Sequence, residues 1–116
     1  MASITGIGID VVDIERFKES LDRTPGLIAR VFTENESKLK ISSLAARFAA
    51  KEALAKALNS KSEFSWQDAE IFSEASGKPY FEFYGAMKVR LEGHTVHLTL
   101  SHDAGIASAM VIVEKS

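Results

Sequence analysis

The chain has 116 residues, with 14 basic and 16 acidic side chains, a formal net charge of -2 and no cysteine. A domain of that size buries a core without staples, disulfides and thiolate metal sites are excluded, and the slightly acidic balance argues against a general nucleic-acid binder. Met1-Ala2-Ser3-Ile4 has neither the basic nor the apolar region of a signal peptide, and no apolar run nears the roughly 18 residues of a membrane span, so the expectation is one cytoplasmic domain over 1–116.

Gly6-Ile7-Gly8-Ile9-Asp10-Val11 alternates with the period of a strand. Asp13 can cap a following helix, and Val12 and Phe17 stand where a hydrophobic staple would close around that cap. This helix would bury Ile14, Phe17 and Leu21. Thr24-Pro25 reads as the restart of a short helix with proline at its first position, and Thr33-Glu34-Asn35-Glu36 as a capping box. The main helix starts at Ser42 or Ser43 and runs to about Leu58, with Asn59 as its stop.

The second half reads as β: a strand over Asp68 to Ser73, a turn at Ser76-Gly77-Lys78-Pro79, and a strand over Tyr80 to Tyr84. Gly85 to Leu91 is a short helix. Thr95 to Ser101 and Ile106 to Glu114 form a hairpin around Asp103-Ala104-Gly105. Helices early and antiparallel strands late give an α+β fold, an antiparallel sheet with a long buried helix.

Several polar residues fit this frame badly. In the main helix, Leu44, Phe48, Ala55 and Leu58 take one side and Ala46, Ala50, Ala53 and Ala57 the other, the pattern of a buried helix. Arg47 and Lys51 nevertheless fall within the Leu/Phe side. A buried charge costs several kcal/mol, as an order of magnitude, unless it is paired or binds an ion. Glu52 and Lys56 share an edge, and two readings stay open: an ordinary ion pair worth ~0.2–0.5 kcal/mol, or part of a site. Asp10 favours the second. It shares a strand face with Gly6 and Gly8, whose missing side chains leave room for an approach, and Asp13 already serves as the cap. Two carboxylates from different elements with cations nearby suit Mg²⁺, which takes one or two carboxylates plus substrate phosphates.

Ser101-His102-Asp103 has the letters of a catalytic triad, but consecutive strand residues point to opposite faces. His102 falls on the face of Val96, Leu98 and Leu100, at the strand end. His94 and His97 have no zinc spacing. Gly6-x-Gly8-x-x-Val11 lacks the third glycine of a dinucleotide fingerprint, and no Walker loop is present.

Together "GIGIDVVDIERF", "ARFAAKEALAKAL", "GKPYFEF" and "LSHDAGIASAMVIVE", in that order and across nearly the whole chain, resemble the holo-acyl-carrier-protein synthases, the small phosphopantetheinyl transferases. The resemblance implies transfer of the 4'-phosphopantetheine arm of coenzyme A to a serine of an apo acyl carrier protein, releasing adenosine 3',5'-bisphosphate, in fatty acid biosynthesis. It implies Asp10 and Glu52 as Mg²⁺ ligands and Lys56 beside the phosphates. Arg47, Phe48, Lys78, Pro79 and His102 match positions at the coenzyme site, with His102 near its phosphates. Glu52, a metal-bound water and His102 are all candidates for the base that deprotonates the serine. It also implies a homotrimer with active sites between subunits. Arg16 and Arg23, seven apart on the first helix, with Arg30 beyond, form a candidate surface for the acidic carrier protein. Where many relatives have a glycine-rich turn after the main helix, this chain has Asn59-Ser60-Lys61, and its segment from Thr33 to Leu44 is short. The rival reading is a metal-dependent nuclease or phosphohydrolase, but the acid-x-Lys spacing of nuclease sites is missing after Glu52. No nucleic acid or membrane is expected as partner.

Overall fold

The computed structural model describes residues 2–60 and 64–116. Strand β1 (Ser3–Asp13) leads into helix α1 (Ile14–Arg23), then the short α2 (Leu27–Val31) and α3 (Glu34–Ser37), and the long α4 (Ile41–Ala57). A single 3-10 turn, Trp66–Asp68, precedes β2 (Ala69–Ser73) and β3 (Pro79–Phe83). Helix α5 (Gly85–Arg90), β4 (His94–Asp103) and β5 (Ile106–Lys115) complete the chain. Among the described residues the sheets are a three-stranded one, ordered β1-β5-β4, and the β2-β3 hairpin, all antiparallel. The expected α+β class is what forms.

The local chemistry explains most boundaries. Asp13 Oδ1 accepts from the Arg16 backbone N–H at 3.0 Å, and the staple pair Val12 and Phe17 is buried beside it. The box at Thr33 and Glu36 closes in both directions. Asn59, at φ 53, ends α4: its N–H donates to Lys56 O, and that of Ser60 donates to Ala55 O at 2.8 Å. Those two bonds make a Schellman motif. In the β4-β5 hairpin, Ala104 and Gly105 both take positive φ, as a two-residue type I' turn requires.

Several boundaries differ from the sequence expectation, by one or two residues at the ends of β3, α5, β4 and β5 and at three further places. Pro25 does not open α2, because Gly26, at φ 89, turns the chain first and the helix starts at Leu27. Helix α4 begins at Ile41, before either serine, with Lys40 at the cap and no side-chain cap bond. Asp68 belongs to the 3-10 turn rather than to β2.

Helix α4 crosses one face of the large sheet. Its alanines Ala45, Ala46, Ala49, Ala50 and Ala53 are buried against the inward residues Ala107, Ala109, Val111 and Val113 of β5. The fit over β1 is closer still. A Cβ on Gly8 would lie 1.8 Å from Ala53 O, and one on Gly6 1.9 Å from Ala57 O. The room left by these glycines is therefore taken by the backbone of α4, which corrects the expectation that a ligand approaches there. Only glycine allows this contact. Asp10, two residues further along the same face, meets the edge of the helix instead of its backbone.

Candidate active site

Asp10, Glu52 and Lys56 gather at the free edge of β1. Lys56 Nζ donates to Asp10 Oδ1 at 3.1 Å and to Ile9 O at 3.0 Å. Among the described residues Lys56 pairs with Asp10 across elements and makes no ion pair with Glu52. The ordinary Glu52–Lys56 ion pair is therefore not what forms, because the cation is held by the strand. Glu52 is half-buried, and burial raises its pKa. The charge of Asp10 adds to that rise and Lys56 works against it. The two carboxylates are thus near enough to repel. No cluster of three or more potential metal ligands occurs among the described residues. A pair is nonetheless what Mg²⁺ takes from a protein when substrate phosphates supply further oxygens, and the repulsion felt by Glu52 is the kind a divalent cation relieves.

Glu52 and Lys56 line a pocket of about 380 Å³ with Ala55, Asn59, Ser60 and Trp66. The Trp66 ring stacks on Phe48, and Phe48 packs on Phe17, so Phe48 supports this wall from behind. Of the turn that follows α4, Asn59 and Ser60 are at the pocket, while Lys61 lies outside the described residues.

A second pocket of about 310 Å³ lies on the other flank of α4, lined by Arg47, Gly77, Pro79, Leu100 and His102 among others. Arg47 and Lys56 are nine positions apart, about 180° around the helix axis. One chain therefore brings Asp10, Glu52 and Lys56 together, and Arg47, Pro79 and His102 together, but holds the two groups apart. His102 is exposed on the same face as Leu100, as its alternation predicts, and Lys78 is exposed beside Pro79. Burial lowers the pKa of Arg47, and Glu36 counteracts this. Its Nε donates to Ile71 O at 3.4 Å, which fixes the guanidinium against β2. Arg16, Arg23 and Arg30 are all exposed, on the side of α1 and α2 away from buried Phe17 and Val31.

Sequence reasoning missed how Lys51 is accommodated. Its Nζ is fully buried and donates to Glu36 Oε1 at 2.6 Å, to Val31 O at 2.8 Å and to Trp66 O at 3.1 Å. Glu36 also accepts from the Thr33 and Ile71 backbone N–H groups. Nearby, Glu70 accepts from the Thr33 hydroxyl and from Tyr84 Oη at 2.6 Å. Burial opposes the charge on Glu70, but hydrogen bonds from Thr33, Tyr84 and Asn35 outweigh it and hold the pKa below the usual range. The bond to Glu70 is the main cause that pushes the Tyr84 phenol up to about 12. This network ties α3, α4 and β2 into one block. The one signal in the sequence was a lysine among apolar helix positions. Its partner was hidden because Glu36 already had a role in the capping box.

The 4'-phosphopantetheinyl transferase superfamily model matches residues 6–108. The chain belongs to that superfamily. It is 52% identical over 114 residues to a holo-acyl-carrier-protein synthase of Clavibacter sepedonicus, covering 96% of each chain. The holo-acyl-carrier-protein synthase of Neisseria meningitidis has a solved structure like this one, with a TM-score of 0.88 and 32% identity, covering 97% of this chain and 100% of that one. The enzyme of Helicobacter pylori, solved in complex with coenzyme A, matches with a TM-score of 0.81 and 33% identity over 92% of this chain and 98% of that one. The nuclease or phosphohydrolase alternative finds no support among these relatives.

Proposed function

We propose that this chain is a holo-acyl-carrier-protein synthase, which moves the 4'-phosphopantetheine arm of coenzyme A to a serine hydroxyl of an apo acyl carrier protein. The serine oxygen bonds to the phosphorus that carries the pantetheine arm. The bond from that phosphorus to the bridging oxygen breaks, and adenosine 3',5'-bisphosphate leaves. The observation that carries the reading is the meeting of Asp10, Glu52 and Lys56, from a strand and a helix, beside a pocket in a chain with these relatives.

Asp10 and Glu52 would hold Mg²⁺, which supplies Lewis-acid polarisation of the phosphoryl oxygens and a template for the leaving group. Lys56, held in place by Asp10 and Ile9 O, stabilises negative charge as the pyrophosphate bond breaks. Glu52 and His102 are the two side chains that could take the serine proton. The division of residues between two flanks of α4 supports an active site completed by a second subunit. So does the outer face of β1, where Ile7, Ile9 and Val11 are each about 60% exposed next to Met110 of β5. An apolar stripe of that kind marks an interface, and we infer a homotrimer. No helix among the described residues is long and apolar enough to cross a membrane, in keeping with a cytoplasmic enzyme of fatty acid biosynthesis.

Incubation with coenzyme A, Mg²⁺ and an apo acyl carrier protein, followed by mass spectrometry of the carrier, tests the reading. The expected result is a gain of one phosphopantetheine; an unchanged carrier mass overturns it.

Two variants probe its parts. If His102 takes the serine proton or contacts phosphate, His102→Ala lowers turnover by about 10²-fold or more with little change in melting temperature, since the residue is exposed. A fall in melting temperature with an unchanged rate would make it a packing residue only. If Arg16 and Arg23 receive the acidic carrier, Arg16→Glu with Arg23→Glu raises the KM for the carrier and weakens its salt dependence, as rim charges do. The KM for coenzyme A stays put. Steady-state kinetics at several salt concentrations check this, and parallel shifts in both constants would remove the arginines from the docking surface.

A further inference from the structure

Glu36 is 1% exposed, so it meets no ligand itself, yet three elements converge on its carboxylate. Oε1 accepts from Lys51 Nζ at 2.6 Å and from the Thr33 N–H at 3.0 Å. The buried ion pair and the capping box need no more than that oxygen. Oε2 has a separate task, accepting from the Ile71 N–H at 2.9 Å. Ile71 lies in β2, which pairs with β3 on one edge and with no strand on the other among the described residues. The carbonyl of the same residue accepts from Arg47 Nε at 3.4 Å. Side chains thus satisfy both backbone groups of Ile71, Glu36 taking the N–H and Arg47 giving to the carbonyl.

Arg47 stands at the pocket that Pro79, Leu100 and His102 also line. A guanidinium is a rigid planar fork, and the anion it can bind depends on how that plane is held. Here the plane is held at Nε, by a carbonyl whose own residue is fixed by Glu36. The charge of Glu36 also favours the guanidinium against the burial that opposes it. We propose that Glu36 is a positioning residue for Arg47, aligning its guanidinium through Ile71 for an anionic group of coenzyme A. The inference rests on the proposed use of coenzyme A and deepens it, by naming a buried residue that lines neither pocket and yet sets the affinity.

A double-mutant cycle on coenzyme A binding tests this. Isothermal titration calorimetry gives each Kd, at a temperature where thermal melts show every variant folded. Glu36→Gln is the sharpest change. Its one amide oxygen can keep Lys51 and Thr33, which sets its NH2 group against the Ile71 N–H, donor to donor. The expected result is a Kd raised about 5–10-fold by Glu36→Gln, the coupling typical of one network, and at least as much by Arg47→Ala. In the Arg47→Ala background, Glu36→Gln should then raise Kd by less than about 2-fold, since the group it acts through is gone. A merely structural role would not depend on Arg47. Equal rises in the two backgrounds overturn the inference, as does no rise in wild type or normal binding by Arg47→Ala. Should Glu36→Gln not fold, Glu36→Gln with Lys51→Met replaces it, because that pair strands no buried charge. Loosening of Trp66 by the second change acts on the opposite flank of α4 and recurs in both backgrounds, so the difference between them still isolates Arg47. If wild type does not bind coenzyme A, the proposed function falls and this inference falls with it.

Discussion

Asp10→Ala and Glu52→Ala are each expected to stop phosphopantetheine transfer while leaving the protein folded. On the proposed Mg²⁺ site, removing either carboxylate would delete half of the protein's ligand set, and a single preorganised electrostatic group of this kind is worth about 10²–10³-fold in rate. Asp10 also positions Lys56 at 3.1 Å, so its loss frees the cation proposed to stabilise the leaving bisphosphate. The combined expectation for Asp10→Ala is a fall of roughly 10³-fold or more. Stability should barely change. The Lys56 side chain is 55% exposed and the Asp10 side chain 17%, and partly exposed pairs contribute about 0–1 kcal/mol. Loss of either carboxylate also relieves their mutual repulsion, which adds to the burial that raises the pKa of Glu52. Turnover and thermal melts on the same preparations check this. Near-normal turnover of either variant at saturating Mg²⁺ would sink the shared-metal reading.

Lys51→Met should produce the largest loss of stability. The methionine fits the volume of the lysine stem but removes the ammonium that neutralises Glu36 and satisfies Val31 O and Trp66 O. Breaking one partner of a buried pair costs about 3–5 kcal/mol, since the other charge is left uncompensated. For a domain of this size that is roughly 10–20 °C in melting temperature. Adding Glu36→Gln to Lys51→Met should cost less than the sum of the two single changes, because the stranded charge is gone. Chemical denaturation of the four proteins gives the cycle. A loss below about 1 kcal/mol in Lys51→Met would mean that the pair is not ionised in the folded protein. The site depends on this pin. Lys51 precedes Glu52 and fastens its own turn of α4 to α3 and to the chain entering β2, so the next residues, on the other side of the helix, are turned to the β1 edge.

Much of this was legible without coordinates because it is local. The cap at Asp13, its staple, the box at Thr33 and the stop at Asn59 each depend on residues within one or two turns. Strand alternation put His102 with Leu100, and put Asp10 with Gly6 and Gly8, since side-chain direction along a strand has period two. The pairing of four sequence blocks was enough to expect the superfamily, which its matching family model bears out. Boundary errors fell where backbone preference competed with a nominal signal. At α2 the left-handed Gly26 overrode Pro25, and at α4 the helix began without using a serine cap.

What the tertiary structure alone decided involves residues far apart in the chain. Periodicity placed Lys56 on a helix edge, but only the packing of α4 over β1 showed that it reaches Asp10, 46 positions away, instead of Glu52. The glycines read as space, and the space is filled by the carbonyls of Ala53 and Ala57. Lys51 read as misplaced, and its compensation comes from Glu36, Val31 and Trp66, which no single period connects. The separation of Arg47 and His102 from the carboxylates follows from which flank of α4 faces β4. Short-range sterics and capping are written in neighbouring residues, whereas the charge partners of a buried helix are set by how the rest of the chain folds around it.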